Sequence, residues 1–218
     1  QQASEALRAA LEHATGRSVT ISGPLQVTLR PLPSITVSQV TIANPDWAKS
    51  PKMVSIQRLT VRPSLRRLLL GKVLLHRINI EGVQLWLENG PDGQPSWLLG
   101  RGGSSPVGVP EIRVDSLRAS KLRASYFDAK DGVTRSLSLQ QLDASAGNSD
   151  QPIKLSVQGE VMQLPLAISG QIGSPDQVQG GRPFSFSLQG SLGQTRLTTE
   201  GKLLNLDFRD LSGVEAKF

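Results

Sequence analysis

Cysteine is absent from this 218-residue chain, which removes disulfides, thiolate-ligated zinc, iron–sulfur clusters and thiol nucleophiles together. The absence is neutral about compartment. Aromatic residues are scarce: three Trp, one Tyr and five Phe cannot supply the stacking platforms that single-stranded nucleic acid needs. No basic helix or named duplex-binding motif is present either, so nucleic acid is not an expected partner. Histidine is limited to His13 and His76, and G-x-S-x-G, H-E-x-x-H and paired-carboxylate settings are missing. An enzyme is therefore not expected, and no catalytic residue, metal ligand or cofactor is assigned. The nearest approach to a cation site, Asp128 with Asp131, lacks the further oxygen ligands of a calcium loop and reads as a hairpin turn. No apolar run reaches the roughly 18 residues of a membrane-spanning helix. The first residue is Gln rather than Met, which leaves room for a signal peptide or anchor upstream.

What is present is a repeat. Apolar residues recur at i, i+2, i+5 and i+7 in Ile35, Val37, Val40, Ile42; in Val54, Ile56, Leu59, Val61; and in Val73, Leu75, Ile78, Ile80. The octad returns as Ile112, Val114, Leu117, Ala119 and as Leu137, Leu139, Leu142, Ala144, always with a polar pair at its centre. At about 100° per residue a helix would scatter these positions around its circumference, so the octad is strand-like. Side chains alternate along a strand, so an unbroken strand would put the first two apolar residues on one face and the last two on the other. A bulge at Ser38-Gln39, Gln57-Arg58 and His76-Arg77 would return all four to one face and help a wide sheet to curl. A strand crossing between two cores is the alternative. His76 is then the polar occupant of a bulge.

Plain alternation accounts for most of the remainder. Val19, Ile21 and Leu25, Val27, Leu29 flank Gly23-Pro24 as in a hairpin; Val83 to Leu87, Leu122 to Tyr126, Ile153 to Val157, Leu164 to Ile168 and Phe184 to Leu188 follow. Ser4 caps an apolar stripe of Leu7, Ala10, Leu11, Ala14 that stops at Gly16, and Ser64 opens a short helical turn near residues 64–70. The expected fold is mainly β: a curled, bulged, antiparallel-rich sheet of about 14 strands forming an open groove, with an N-terminal helix and that one short helix. Strands spaced about 4.8 Å apart would make such a groove about 67 Å long. The Gly/Ser/Pro stretch 100–110 lacks the ending and setting of a phosphate loop and reads as a flexible connector. It divides the chain into 1–99, the helix with the start of the groove, and 111–218, a continuation expected to be truncated. One sheet or two domains both remain open.

The charge of +6 invites anionic partners such as a membrane surface. Arg62, Arg66, Arg67, Lys72 and Arg77 cluster around the short turn with only Glu81 nearby to offset them. The cluster reads either as a solvated face or as a contact with anionic headgroups, the latter assigned to Arg62, Arg66, Arg67 and Lys72.

In order and spacing, Ala14-Thr15-Gly16-Arg17, Ile21-Ser22-Gly23, Leu32-Pro33, Asn44-Pro45, Leu68-Leu69, Val83-Gln84-Leu85, Asp92-Gly93 and Trp97-Leu98-Leu99 resemble the N-terminal domain of the AsmA-like proteins of Gram-negative bacteria. The similarity continues through Tyr126-Phe127-Asp128. Ser96 stands where the family commonly has Asn before Trp, and Gly82 where Pro is frequent. The resemblance implies a periplasmic body held at the inner membrane by an N-terminal helix absent from this chain. It also implies a fold similar to the repeating β-groove of bridge-like lipid transfer proteins. The implied role is phospholipid movement between inner and outer membranes and outer-membrane homeostasis. An outer-membrane partner is compatible with it. Ile35, Val37, Val40, Ile42, Val54, Ile56, Leu59, Val61, Val73, Leu75, Ile78 and Ile80 would line the lipid groove. The alternative is a scaffold that assembles outer-membrane proteins through exposed strand edges.

Overall fold

The computed structural model describes residues 2–29, 32–64, 73–97, 112–179, 182–203 and 214–217. Helix α1 (Gln2–Thr15) is followed by β1 (Val19–Ile21), β2 (Leu25–Thr28), β3 (Ser34–Ala43), β4 (Lys52–Pro63) and β5 (Val73–Asn89). Then come β6 (Ile112–Val114), β7 (Ser116–Asp128), β8 (Thr134–Ser145), β9 (Ile153–Val161) and β10 (Leu164–Ile172). A short helix α2 (Pro175–Gln179) precedes β11 (Phe184–Leu192), β12 (Thr195–Leu203) and β13 (Val214–Lys217). The described residues are mainly β, as expected. The short turn at 64–70 and the connector at 100–110 lie outside the described residues. Among those described, no helix is long and apolar enough to cross a membrane.

All described strands belong to one open sheet in the order β1-β3-β4-β5-β7-β8-β9-β10-β11-β12-β13, with β2 beside β3 and β6 beside β5. The 11 positions along this path span about 50 Å at the usual strand spacing, shorter than expected because two pairs of strand segments share a position. One such pair corrects the hairpin expected at Gly23-Pro24. β1 and β2 do not pair with each other; both run along β3, Val19 opposite Ile42 and Leu25 opposite Val37. Ser22 and Gly23 donate their N–H groups to the carbonyls of Gln39 and Ser38, so the turn chemistry makes a jog in one edge strand. The other pair is β6 and β7, both parallel to β5. A parallel neighbour requires a long crossover, and the stretch from 90 to 111 supplies it. Strands on either side of the connector therefore pair directly.

The octad irregularities are real and take two forms. Partners pass from Ser38↔Arg58 to Val40↔Ile56 on β3–β4, and from Ile56↔Val83 to Arg58↔Glu81 on β4–β5, skipping Gln39, Gln57 and Gly82. Gln39, Gly82 and Lys121 take positive φ of 56°, 66° and 54°. Each of these strands carries its extra residue at the same level, so the ladder kinks without slipping. Glycine suits position 82, where φ is 66° and a Cβ would press on the Gln57 side chain. The row ends at β8–β9, where Leu139↔Gly159 is followed by Gln141↔Gln158 and Gln140 is left as a bulge. The bulge expected at His76 is present, because Arg62↔Arg77 is followed by Pro63↔Leu75. His76 Nδ1 lies 3.0 Å from Asp115 Oδ2, at the matching break between β6 and β7.

Opposite faces of the sheet differ sharply. On the polar face Thr36 and Thr60 bond across strands at 3.1 Å, Glu81 joins Arg58 at 3.3 Å and Lys121 at 2.9 Å, and Arg118 meets Asp143. The Lys121 ammonium holds the Glu81 carboxyl below the usual range, and the Gln141 amide and then Arg118 do the same for Asp143. The Val19 N–H lowers Glu12, and Arg135 lowers Asp131. Carboxyls depressed in the folded state contribute stability that is present above their unfolded pKa and lost as pH falls through the folded one. The melting temperature should therefore hold at neutral pH and fall once pH drops below about 4. Circular dichroism melts across that window check this, and the fall should be shallow because these pairs are on the surface.

Candidate functional site

Following the register from strand to strand places every octad on one side. One row of cross-strand neighbours runs Ile21, Val40, Ile56, Val83, and on through Leu122, Leu139, Gly159 and Leu166. A second, on the other side of the kink, runs Leu25, Val37, Leu59, Ile80, Ala119, Leu142, Val157, Ile168. The kink is what keeps the two rows together, as its extra residue restores the alternation that an odd spacing would break. Beyond β9 the strands are regular and need no kink: Leu164, Leu166, Ile168 and Ile172 on β10 alternate with exposed Pro165, Ala167, Ser169 and Gln171.

Glycine shapes this face over its C-terminal half. Gly159, Gly170 and Gly190 stand where a Cβ would strike the backbone oxygen of the neighbouring strand, and the side chains of Leu139 and Leu188 lie against the first two. Such close approach lets the strands fold toward the apolar side and curls the sheet around it.

Cover over the face is uneven. Leu7 and Leu11 of α1 pack on Val19, Val37 and Val40, with Ile42, Ile56 and Leu59 around them. Glu12 fixes the helix by accepting the Val19 N–H at 3.0 Å, and Gly16 ends it with φ 64°. Val37 and Val40 are consequently only 3% exposed, a core under a lid. Ile42, Val54, Ile56, Leu59, Val61, Leu75, Ile78 and Ile80 are half-buried and Ile35 is exposed; the Val73 side chain lies outside the described residues. From β5 onward most of the face is half-buried, and the described elements that make extensive contact there are sheet neighbours. Near its lower end α2 adds a wall: Pro175 and Val178 join Ile78, Val114, Leu117, Ala144 and Ile153 around an apolar cleft of about 230 Å³.

Of the basic residues assigned to a membrane surface, Arg62 is half-buried on the polar face opposite Arg77, while Arg66, Arg67 and Lys72 lie outside the described residues. Asp128 and Asp131 accept the N–H groups of Lys130 and Val133, so that loop is the hairpin turn expected. Among the described residues no group of His, Asp or Glu could hold a metal ion.

Sequence reasoning passed over one polar cluster. Glu88 is 5% exposed and accepts the N–H groups of Lys49 and Ser50, both at 2.7 Å. Asn44 donates to the carbonyls of Ser50, Lys52 and Trp86, and Ser96, fully buried, bonds the Glu88 backbone in both directions. Asn44-Pro45 and Ser96-Trp97 thus staple the β3–β4 loop to β5. Only an acid set among alternating apolar residues, in Leu85-Trp86-Leu87-Glu88, could have signalled it.

Fold and face together define a class: a mainly β protein built as one open sheet, apolar on one side and polar on the other. The AsmA family model matches residues 3–100, a little under half of the length, and over that region the chain is similar to the AsmA family. No curated protein matches the chain.

Proposed function

We propose that the uncovered part of the apolar face holds phospholipid acyl chains. In this reading the protein serves, as a carrier and not an enzyme, in lipid traffic between the inner and outer membranes from a periplasmic position anchored at the inner membrane. The observation that carries the reading is an apolar face that runs from β1 to β10 on a single sheet layer and from β5 on is mostly half-exposed, with Val83, Ala119 and Leu139 buried among its neighbours. An ordinary sheet buries such a face under a second layer, because apolar area left in water forgoes about 25 cal/mol per Å². An acyl chain laid across it would regain about 0.8 kcal/mol per methylene buried. The cleft beside α2 offers one place for such a chain, and the family match over the N-terminal region supports an envelope role.

Native mass spectrometry of the chain purified from a Gram-negative host tests this. The expected spectrum shows adducts at phospholipid masses that exchange with added lipid of another chain length. A spectrum of bare protein that stays bare after incubation with phospholipid overturns the reading.

A further inference from the structure

The apolar face does not stop at the end of the sheet. Along β2 and β3 it runs from Val37, 3% exposed, through Ile35 at 38% and its cross-strand partner Val27 at 58%, to Leu29 at 65% and Leu32 at 60% on the hairpin tip. Two exposed leucines there are costly in water, and no described residue covers them. On the other side of the same rim, β4 and β5 place Arg62 directly opposite Arg77. Like charges in that register repel, and among the described residues neither arginine has an ion-pair partner. Carried one residue past Ile35↔Val61 and Ile78↔Leu117, the register puts Ser34 beside Arg62 and Ser116, the partner of Ser145, beside Arg77, so no carboxylate of that row offsets them.

We infer that this rim docks on an anionic bilayer, with Leu29 and Leu32 dipping among the acyl chains and Arg62 and Arg77 meeting lipid phosphates. Charge complementarity selects this occupant: two arginines with no described carboxylate on them, beside an apolar tip, fit a surface that is negative outside and apolar beneath. The tip residues reach about 10 Å beyond Ile35, the depth at which interfacial segments sit. Docking rests on the proposed lipid-carrying face for its purpose, because the ramp from Leu32 to Ile35 would lead a chain from the bilayer to the rim of the apolar face.

The lack of cysteine makes the test direct. Leu32→Cys, labelled with an environment-sensitive NBD fluorophore, is mixed with vesicles of phosphatidylglycerol and phosphatidylethanolamine in equal parts; Val133→Cys, at the opposite end of the sheet and 45% exposed, serves as reference. The expected result is a blue shift and about threefold brightening at position 32 and none at 133. In flotation, Arg62→Gln with Arg77→Gln should lower the vesicle-bound fraction about tenfold. Both arginines reach solvent, so the fold tolerates the change. A label at 32 that stays dark with vesicles overturns the docking, as does one that brightens without vesicles in proportion to protein concentration, the mark of self-association. Unchanged flotation of the double variant overturns the role of the arginines. Lipid retained in native mass spectra alongside a dark label would reject the docking and leave the lipid-carrying face standing.

Discussion

Val40→Asp is expected to unfold the N-terminal half of the sheet, whereas Ile168→Asp is expected to leave the fold intact and abolish lipid retention. Both residues belong to the same apolar face. Val40 is 3% exposed in a cluster with Val19 and Val37, closed over by Leu7 and Leu11 of α1. An unpaired carboxylate there has neither water nor a partner, and such a charge costs about 3–5 kcal/mol, a large share of the usual stability of a domain. Ile168 lies between Val157 and Gly190 on the open part of the face, half-exposed and facing a neighbour without a side chain. Its replacement stays hydrated at a cost of about 1 kcal/mol. It nevertheless sets a charge in the path that an acyl chain would follow. Circular dichroism melts and native mass spectra of the two variants separate the outcomes. If Ile168→Asp also unfolds, the face is a packed core throughout; if it folds and keeps its lipid, that stretch does not carry the chain.

Much of this division is legible in the amino-acid sequence, and the limits of that legibility have physical causes. The octads specify one apolar side, because an odd spacing between apolar pairs is compatible with a single face only where the backbone takes an extra residue. That argument locates Gln39, Gln57 and His76 correctly. It does not reveal whether the neighbour carries an extra residue too, which decides between a slipped register, as at His76, and a shared kink, as at Gln39 with Gln57. Gly23-Pro24 misleads for a similar reason, since a reversal and a jog use the same residues. What separates them is the length of β3, whose 10 residues accept both β1 and β2 along one edge. The parallel pairing of β5 with β7 leaves no local trace, because strand direction depends on a crossover that composition does not encode. The helix stripe of Leu7 and Leu11 is equally plain. Its position over Val37 and Val40, which makes core of two expected groove residues, is tertiary and has no local signature.

Glu88→Ala should destabilise the chain by about 3 kcal/mol and lower its melting point by about 10 °C. The carboxyl group of Glu88 is the only described acceptor for the N–H groups of Lys49 and Ser50, and truncation would leave both without that partner in a half-buried setting. An orphaned donor costs about 1–3 kcal/mol when fully buried, and these half-shielded two fall in the lower half of that range. Loss of the loop has a further consequence, because Lys49 places its ammonium 3.7 Å from the centre of the Phe127 ring and so joins the β3–β4 loop to β7. Beside it the Ala129 N–H donates to the Asn89 carbonyl at 3.0 Å, at the far end of the same parallel seam. The cluster therefore braces the junction where the sheet changes from antiparallel to parallel pairing. Glu88→Gln keeps one acceptor and turns an amide N–H toward the other donor, so it should lose about half as much as Ala. Amide hydrogen exchange at Lys49 and Ser50 should rise sharply in both variants, while lipid retention by the folded protein stays unchanged because the cluster lies off the apolar face. A Glu88→Ala protein with an unaltered melting point and unaltered exchange at those two amides would refute the brace.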